Sequence, residues 1–325
     1  MPLPELIDQL RSGDRVALGK AITLVESTRE QDREQAVDLV ESARPYSGKA
    51  LRLGITGIPG AGKSTLIDPL GRLAINAGHR VAVLATDPSS QRSGGSILGD
   101  KTRMEELARS EHAFIRPSAN NGTLGGVARR TQESIVLCEA AGYDLILVET
   151  VGIGQSELEV DRMTDLNVLL TLPGTGDELQ GIKRGVMESA DVIVLTKASS
   201  TEQGRYHEAR SALRNALAFL PPRDRGTRAQ VFVTDALSGT GMAELWQHIV
   251  ELAQEDEASG YRAQRRQRQQ VQWLHHAFRE GIFQRVMADG AFAEALAALE
   301  EPVRQGEVGP FKAASELLSR FRTGA

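Results

Sequence analysis

Short apolar runs alternate with longer amphipathic stretches through the middle of the chain, from about residue 51 to 250. Most of these runs are continuously apolar, as expected for strands that helices cover on both faces. Strands that alternate with helices predict a mainly parallel sheet of the α/β class. The predicted strands are Leu51–Ile55, Val81–Thr86, Phe114–Arg116, Leu145–Glu149, Val168–Leu172, Val192–Thr196 and Val231–Thr234.

Helical periodicity predicts an extension at each end of this sheet. Before it, Asp14 is a candidate N-cap for the second of three helices, and the third, Glu30–Ala43, is expected to turn Val37 and Val40 inward. We therefore predict an N-terminal helical extension over 1–46, the α/β domain over 47–256 and a C-terminal helical extension over 257–325. The N-terminal helices are expected to pack on the main domain, with partner binding as the alternative.

The C-terminal extension carries a basic cluster and then an apolar stripe. The arginines at 262, 265, 266 and 268 lack interleaved aromatic residues, which argues against nucleic acid as a partner. A helical stripe beyond a complete sheet needs a surface to bury it, which is either a partner or the chain's own domain. The stripe consists of Val271, Leu274, Phe278, Ile282 and Val286.

The first predicted strand leads into a phosphate-binding motif. Residues 57–64 read G-x-x-x-x-G-K-S, in which glycines let backbone N–H groups surround a phosphate. Lys63 is expected to reach the β- and γ-phosphates, and Ser64 to hold Mg²⁺. The predicted nucleotide-binding residues here are Gly57, Ile58, Pro59, Gly60, Ala61, Gly62, Lys63, Ser64 and Thr65.

Carboxylates follow two other predicted strands, where parallel sheets bind ligands. Asp87 follows the second strand, Asp100 closes the long polar loop after it, and Glu149 ends the fourth strand. Oxygen ligands of this kind suit Mg²⁺. Asp87 could instead be a turn residue before Pro88, and Asp100 a helix N-cap.

Two further glycine-containing loops are candidate functional segments. After Glu149, the N–H of Gly152 could contact a γ-phosphate and Gln155 could orient the attacking water, or Gln155 could be an exposed loop residue. The loop over 174–185 carries four glycines that would allow it to rearrange, or it is an ordinary surface turn that leads into a helix. We include its Lys183 with Lys63, Asp100 and Gln155 as catalytic candidates.

The loop after the sixth strand departs from a guanine-reading N-K-x-D motif. Lys197 is present, but Thr196 and Ser199 replace the Asn and the Asp. A hydroxyl cannot accept two hydrogen bonds from guanine as a carboxylate can, so selectivity for guanine should fall about 10–100-fold without compensation. Asp235, with Ala236 and Leu237 after the last strand, could supply the carboxylate or could simply be solvated.

Composition narrows the setting. Of 325 residues, 41% are hydrophobic, and the net charge of −5 gives no reason to expect nucleic acid. The single cysteine, Cys138, fits a reducing compartment. The first residues lack the pattern of a signal peptide, and no apolar run approaches the ~20 residues that span a bilayer, so we expect a cytoplasmic protein without a membrane partner.

Five stretches together resemble the MeaB/ArgK family of G-proteins. They are GITGIPGAGKST, ATDPSSQRSGGSILGDKTRM, AFIRPSANNGTLGGVARRT, YDLILVETVGIGQSE and LPGTGDELQGIKRG. The similarity is dense over about 40–190 and looser to the C-terminus. It implies a SIMIBI-type P-loop NTPase fold, in which a mainly parallel sheet is flanked by helices.

The resemblance also implies an activity. It implies an Mg²⁺-dependent GTPase that binds GTP and GDP and protects and reloads adenosylcobalamin in a B12-dependent acyl-CoA mutase, with cobalamin reached only through that partner. It implies a homodimer built on the C-terminal extension, and acidic metal ligands at Asp87, Asp100 and Glu149 beside Ser64. Alternatives are a kinase-like ATPase of amino-acid transport and an NTPase with relaxed base specificity.

Overall fold

A computed structural model describes residues 2–87, 104–119, 124–150, 156–174, 184–198 and 202–321. By internal contacts the chain divides into two compact units, residues 1–270 and residues 271–325. No helix within the described ranges combines the length and the apolar character that crossing a membrane requires.

Three helices precede the sheet: α1 (Leu3–Arg11), α2 (Arg15–Glu26) and α3 (Glu30–Ala43). Asp14 caps α2 as predicted, because its carboxylate accepts hydrogen bonds from the N–H groups of Val16 and Ala17. For α3, the prediction that Val37 faces inward is wrong. Val37 is 44% exposed, and Leu39 is buried instead.

The sheet has seven parallel strands in the order β3-β2-β4-β1-β5-β6-β7. The predicted α/β class, parallel sheet and strand set are confirmed, with shifts of one to three residues at some strand ends. The strands are β1 (Leu51–Gly57), β2 (Val81–Asp87), β3 (Ala113–Ala119), β4 (Leu145–Glu149), β5 (Leu166–Thr171), β6 (Val192–Leu195) and β7 (Gln230–Val233).

Helices connect the strands and cover both sheet faces. The strands β1, β4, β5 and β6 are almost fully buried, as expected for strands that helices cover on both faces. The helices between and after the strands are α4 (Lys63–Asn76), α5 (Glu105–Ala108), α6 (Leu124–Ala140), α7 (Ser156–Asp161), α8 (Arg184–Ser189), α9 (Gln203–Ala218), α10 (Met242–Ala258) and α11 (Tyr261–Ala288).

The amino ends of the strands are joined by buried aspartates. Asp165 Oδ2 accepts the N–H of Arg52 at 2.9 Å, and Asp191 Oδ2 accepts the N–H of Asn167 at 2.8 Å. Each carboxylate therefore ties one strand to its neighbour. Of the predicted catalytic residues, Lys63 is described, and it lies at the opposite, carboxyl end of the sheet, after β1.

The arginine cluster at the start of α11 binds this amino-end network. Arg265 donates to the carboxylate of Asp161 at 2.7 Å and to the carbonyl of Thr164 at 3.1 Å, and Arg266 donates to Asp165 at 2.6 Å. Both side chains are largely buried. Burial disfavours ionisation of Asp161, but the guanidinium groups of Arg265 and Arg223 outweigh it and hold the Asp161 pKa below its usual value.

The second unit contains the remainder of α11 with α12 (Gly290–Arg304) and α13 (Pro310–Phe321). Its apolar side chains include several that are largely exposed in the single chain. On α11 these are Val271, Leu274, Phe278, Ile282 and Phe283.

Candidate functional site

Backbone conformations at 57–62 form a tight loop between β1 and α4. Gly57 has a φ of +154°, and a Cβ there would lie 2.3 Å from the carbonyl oxygen of Leu170 on β5. Gly62, at φ +85°, is the N-cap of α4. Both positive φ angles favour glycine, and at Gly57 the close approach to β5 also leaves no room for a Cβ, which explains these two glycines of the motif.

The Lys63 side chain is almost fully buried and lies along the inside of the loop. Its Nζ donates to the carbonyl oxygens of Gly57 at 3.1 Å and Ile58 at 3.4 Å. The ammonium is therefore held at the centre of the loop, at the amino end of α4, where the helix dipole also favours an anion.

Ser64 and Glu149 form a buried pair beside this loop. The Ser64 hydroxyl donates to Glu149 Oε1 at 2.8 Å. In the strand register Glu149 lies opposite Ile55 of β1 and Ala85 of β2, so the end of β2 at Asp87 is two residues further along the neighbouring strand. A hydroxyl and a carboxylate are hard oxygen donors of the kind that Mg²⁺ uses together with phosphate and water.

Several predicted site residues lie outside the described residues. They are Asp100, Gln155, Lys183 and Ser199, together with the N–H of Gly152. For Asp87 the structure describes the strand position but not the side chain. The roles predicted for these five side chains and this N–H therefore stay predictions.

Thr196 links the loop after β6, which we call the base-side loop, to the phosphate loop. The sequence did not predict this link. Its hydroxyl lies 2.6 Å from the carbonyl oxygen of Ala61 and 3.3 Å from that of Thr171. Since a hydroxyl has one hydrogen, the shorter contact to Ala61 takes it. The sequence indicates Thr196 only as a base-contacting position, because a hydrogen bond between two loops leaves no pattern in a sequence.

Lys197 follows in a left-handed conformation, with φ +62°, rare for a residue with a Cβ. Tyr206 of α9 supports it, because its hydroxyl lies 2.6 Å from the Lys197 carbonyl oxygen and 3.0 Å from that of Thr196. The N–H of Ala198 also donates to the carbonyl of Thr234. Burial, and secondarily the charge of Glu202, raise the pKa of Tyr206, which keeps the phenol protonated as a donor.

A cavity of about 1080 Å³ opens between these elements at the carboxyl end of the sheet. This is large enough for a nucleotide. Its wall includes the end of the phosphate loop, the residues after β6, one face of α9 and the turn after β7. Among the lining residues are Ala61, Gly62, Thr65, Thr196, Lys197, Tyr206, Arg210, Asp235, Ala236 and Leu237.

Comparison with known proteins agrees with this architecture. The model of a family described as methylmalonyl-CoA mutase-associated GTPase MeaB matches residues 18–291. The chain belongs to the MeaB family.

Relatives of the chain include a probable GTPase of Mycobacterium tuberculosis, 51% identical over 96% of this chain and 93% of the relative. The GTPase ArgK of Escherichia coli is 46% identical over 89% and 88%. A mouse mitochondrial protein named as a methylmalonic aciduria type A homolog is 44% identical over 97% and 78%. The resemblance to the MeaB/ArgK family and the assignment as a GTPase that binds GTP are thus confirmed.

Among solved structures, one described as a LAO/AO transport system kinase superposes with a TM-score of 0.78. It is 37% identical and the alignment covers 99% of this chain and 98% of the other. The P-loop NTPase fold predicted from the sequence is therefore confirmed.

Proposed function

We propose that this MeaB-family GTPase is an Mg²⁺-dependent chaperone that protects and reloads adenosylcobalamin in a B12-dependent acyl-CoA mutase. The observation that carries the catalytic part is the buried Ser64–Glu149 pair beside the ammonium of Lys63. Those three groups supply the positive charge and the oxygen ligands that a metal-bound triphosphate requires.

The donor set fits Mg²⁺. Ser64 and Glu149 are both almost fully buried, and they leave the remaining coordination positions to phosphate and water oxygens, as Mg²⁺ prefers. Bound there, the ion would supply charge that stabilises the β- and γ-phosphate oxygens. Asp87 and Asp100 are proposed as further acids on this side.

The chain's own groups do the rest of the proposed hydrolysis. Backbone N–H groups of 57–65 bind the phosphates, Lys63 leaves its loop carbonyls for the β- and γ-oxygens, and Gln155 orients the attacking water. Lys183 is proposed to contribute a positive charge from the 174–185 loop. Thr196, Lys197, Ser199, Asp235, Ala236 and Leu237 are the proposed base-side residues.

The chaperone role rests on the family, whose name associates it with methylmalonyl-CoA mutase. We propose that the mutase is the partner, that cobalamin is reached only through it, and that the chain acts as a homodimer through the exposed α11 side chains. The proposed domain organisation is the one predicted from the sequence: an N-terminal helical extension over 1–46, the GTPase domain over 47–256 and a C-terminal helical extension over 257–325.

The test combines hydrolysis with mutase protection. Phosphate release from GTP by the full chain is measured with Mg²⁺ and with a chelator, and inactivation of purified, adenosylcobalamin-loaded methylmalonyl-CoA mutase is followed during turnover. Lys63→Ala should lose hydrolysis and protection, whereas Lys49→Ala, at an exposed lysine before β1, should keep both. Undiminished hydrolysis by Lys63→Ala would refute the catalytic proposal, and unprotected mutase with active GTPase would refute the chaperone role.

The solved relative described as a transport-system kinase supports a second candidate, phosphate transfer to a protein. The two functions differ in what accepts the phosphate. Steady release of inorganic phosphate in the absence of any protein acceptor favours hydrolysis, and phosphate release that depends on an added acceptor favours the kinase.

A further inference from the structure

The base-side wall of the 1080 Å³ cavity has a hydrogen-bonding problem that the sequence alone does not solve. Guanine presents two neighbouring donors, N1–H and the N2 amino group, and a carboxylate is the acceptor best suited to both. The Thr196 hydroxyl donates its hydrogen to the carbonyl of Ala61 in the phosphate loop, and a single hydroxyl cannot accept both hydrogen bonds from guanine as a carboxylate can.

Lys197 fixes where a base would lie. Its left-handed backbone is held by Tyr206, and its Cε would lie 3.9 Å from a Cβ built on Gly62, so the aliphatic stem runs across the cavity beside the phosphate loop. A nucleotide whose phosphates occupy residues 57–64 would therefore place its base beyond this stem, toward the turn after β7.

Asp235 is the one carboxylate among the described residues that line this cavity. Its backbone N–H donates to the Thr240 carbonyl at 2.9 Å, and its Oδ1 accepts the N–H of Leu237 at 3.1 Å. These two bonds hold the turn and the carboxylate. Tyr206 lines the same cavity; its pKa is raised mainly by burial, and the charge of Asp235 adds to the increase.

We propose that Asp235 is the guanine-selecting residue of this GTPase, with its carboxylate accepting from N1–H and the N2 amino group of the base. This assignment rests on the proposed nucleotide site and deepens it. Adenine is rejected by the same group, since its N1 is a lone pair that would face the negative carboxylate, and it has no amino group at C2.

Asp235→Asn is a selective test because it changes one atom that could face the base. Its Oδ1 can still accept the N–H of Leu237, so the turn is retained, while the second oxygen becomes an NH₂ donor. A donor facing the guanine N2 amino group is unfavourable, whereas it complements the C2 carbonyl of xanthine.

Dissociation constants of GDP, IDP, ADP and XDP are measured for the full chain and for Asp235→Asn. The parent should bind GDP more tightly than IDP, which lacks the N2 amino group, and reject ADP. The variant should bind GDP about 10–100-fold more weakly and gain affinity for XDP. Asp224→Asn, at an exposed acid paired with Arg268, is the matched control and should leave all four values unchanged.

Two outcomes would overturn the assignment of Asp235. Unchanged GDP and XDP affinities would mean that Asp235 does not face the base. Equal weakening of both would mean that it only shapes the turn, because a residue of that kind does not discriminate between bases. Failure of the parent chain to bind any of the nucleotides would instead refute the proposed nucleotide site.

Discussion

Single side chains in this protein hold loops that come from distant parts of the chain. Thr196 reaches the phosphate loop, 135 residues earlier, and Tyr206 holds the strained Lys197. Buried polar atoms with one good partner are costly to disturb, because the remaining partner stays buried without its hydrogen bond. The nucleotide loops therefore depend on a few hydroxyl groups.

Replacement of Thr196 by Val removes the hydroxyl and keeps the shape. The Ala61 carbonyl loses its donor, so we expect the free energy of unfolding to fall by about 1–3 kcal/mol and GDP affinity to fall with it. Thr196→Ser keeps the donor and is expected to lose under about 1 kcal/mol. Denaturant unfolding and nucleotide titration measure both, and equal behaviour of Val and Ser variants would show that the hydroxyl bond does not matter.

Asp256 on α10 gives the protein a pH-dependent stability. Burial raises its pKa to about 6, despite the opposing charge of Arg225, whose Nη1 lies 3.0 Å from Asp256 Oδ2. The unfolded chain releases this proton near pH 4, whereas the folded chain keeps it until about pH 6. Between these values the folded state binds more protons, so the stability from this group is present below pH 4 and is lost as the pH rises to 6.

The change is on the order of 1–3 kcal/mol. Because Asn does not titrate, the difference in unfolding free energy between the parent and Asp256→Asn isolates this effect. We expect the parent to lose stability relative to Asp256→Asn as the pH rises from about 4 to about 6. A difference that is independent of pH would show that Asp256 titrates alike in both states.

At the scale of elements, the sequence predicts the strands well and the surroundings of the helices less well. Continuous apolar runs such as Leu145–Glu149 have one stable place, the interior of a parallel sheet, and the structure has them there. The prediction that Val37 faces inward is wrong because α3 turns Ala36 and Leu39 inward instead. This is a difference of one helical position, which periodicity alone resolves poorly in a charged helix.

The site divides in the same way. The phosphate loop is predictable because its spacing follows from the shape of a phosphate, and Glu149 because parallel strands end at one edge. The contacts of Thr196 and Tyr206 depend on distances between elements far apart in sequence. No residue pattern encodes those distances. The buried ion pairs of the α11 arginines could not be predicted either, because an arginine with a buried partner and an arginine in solvent have the same local sequence pattern.

Two arginines on α11, three residues apart, should differ in what their removal costs. Arg265→Ala should lower the free energy of unfolding by about 3 kcal/mol, at the lower end for a buried ion pair because Arg223 still pairs with Asp161. Arg268→Ala removes an exposed pair with Asp224 and should cost under about 1 kcal/mol. Denaturant unfolding compares them, and similar costs would contradict a structural role for Arg265.

At the scale of the whole molecule, the exposed apolar side chains of α11 predict association of two chains, as proposed above. Phe278→Glu places a charge among them, so light scattering should give the mass of one chain for the variant and of two for the parent. Phe219→Glu, at an isolated exposed aromatic after α9, is the control and should stay dimeric. A parent chain that is monomeric at micromolar concentration would contradict the proposal.

The phosphate loop is fastened at three points: Gly57 against β5, Ala61 to Thr196 of the base-side loop, and Ser64 to Glu149 of β4. Contacts at three points restrict the movement of this loop. When the terminal phosphate departs, the displacement that a partner protein could sense must arise in whatever faces the loop across the nucleotide. The phosphate loop therefore serves as the fixed side of the site, and we expect the segments on the other side of the triphosphate to be the ones that move.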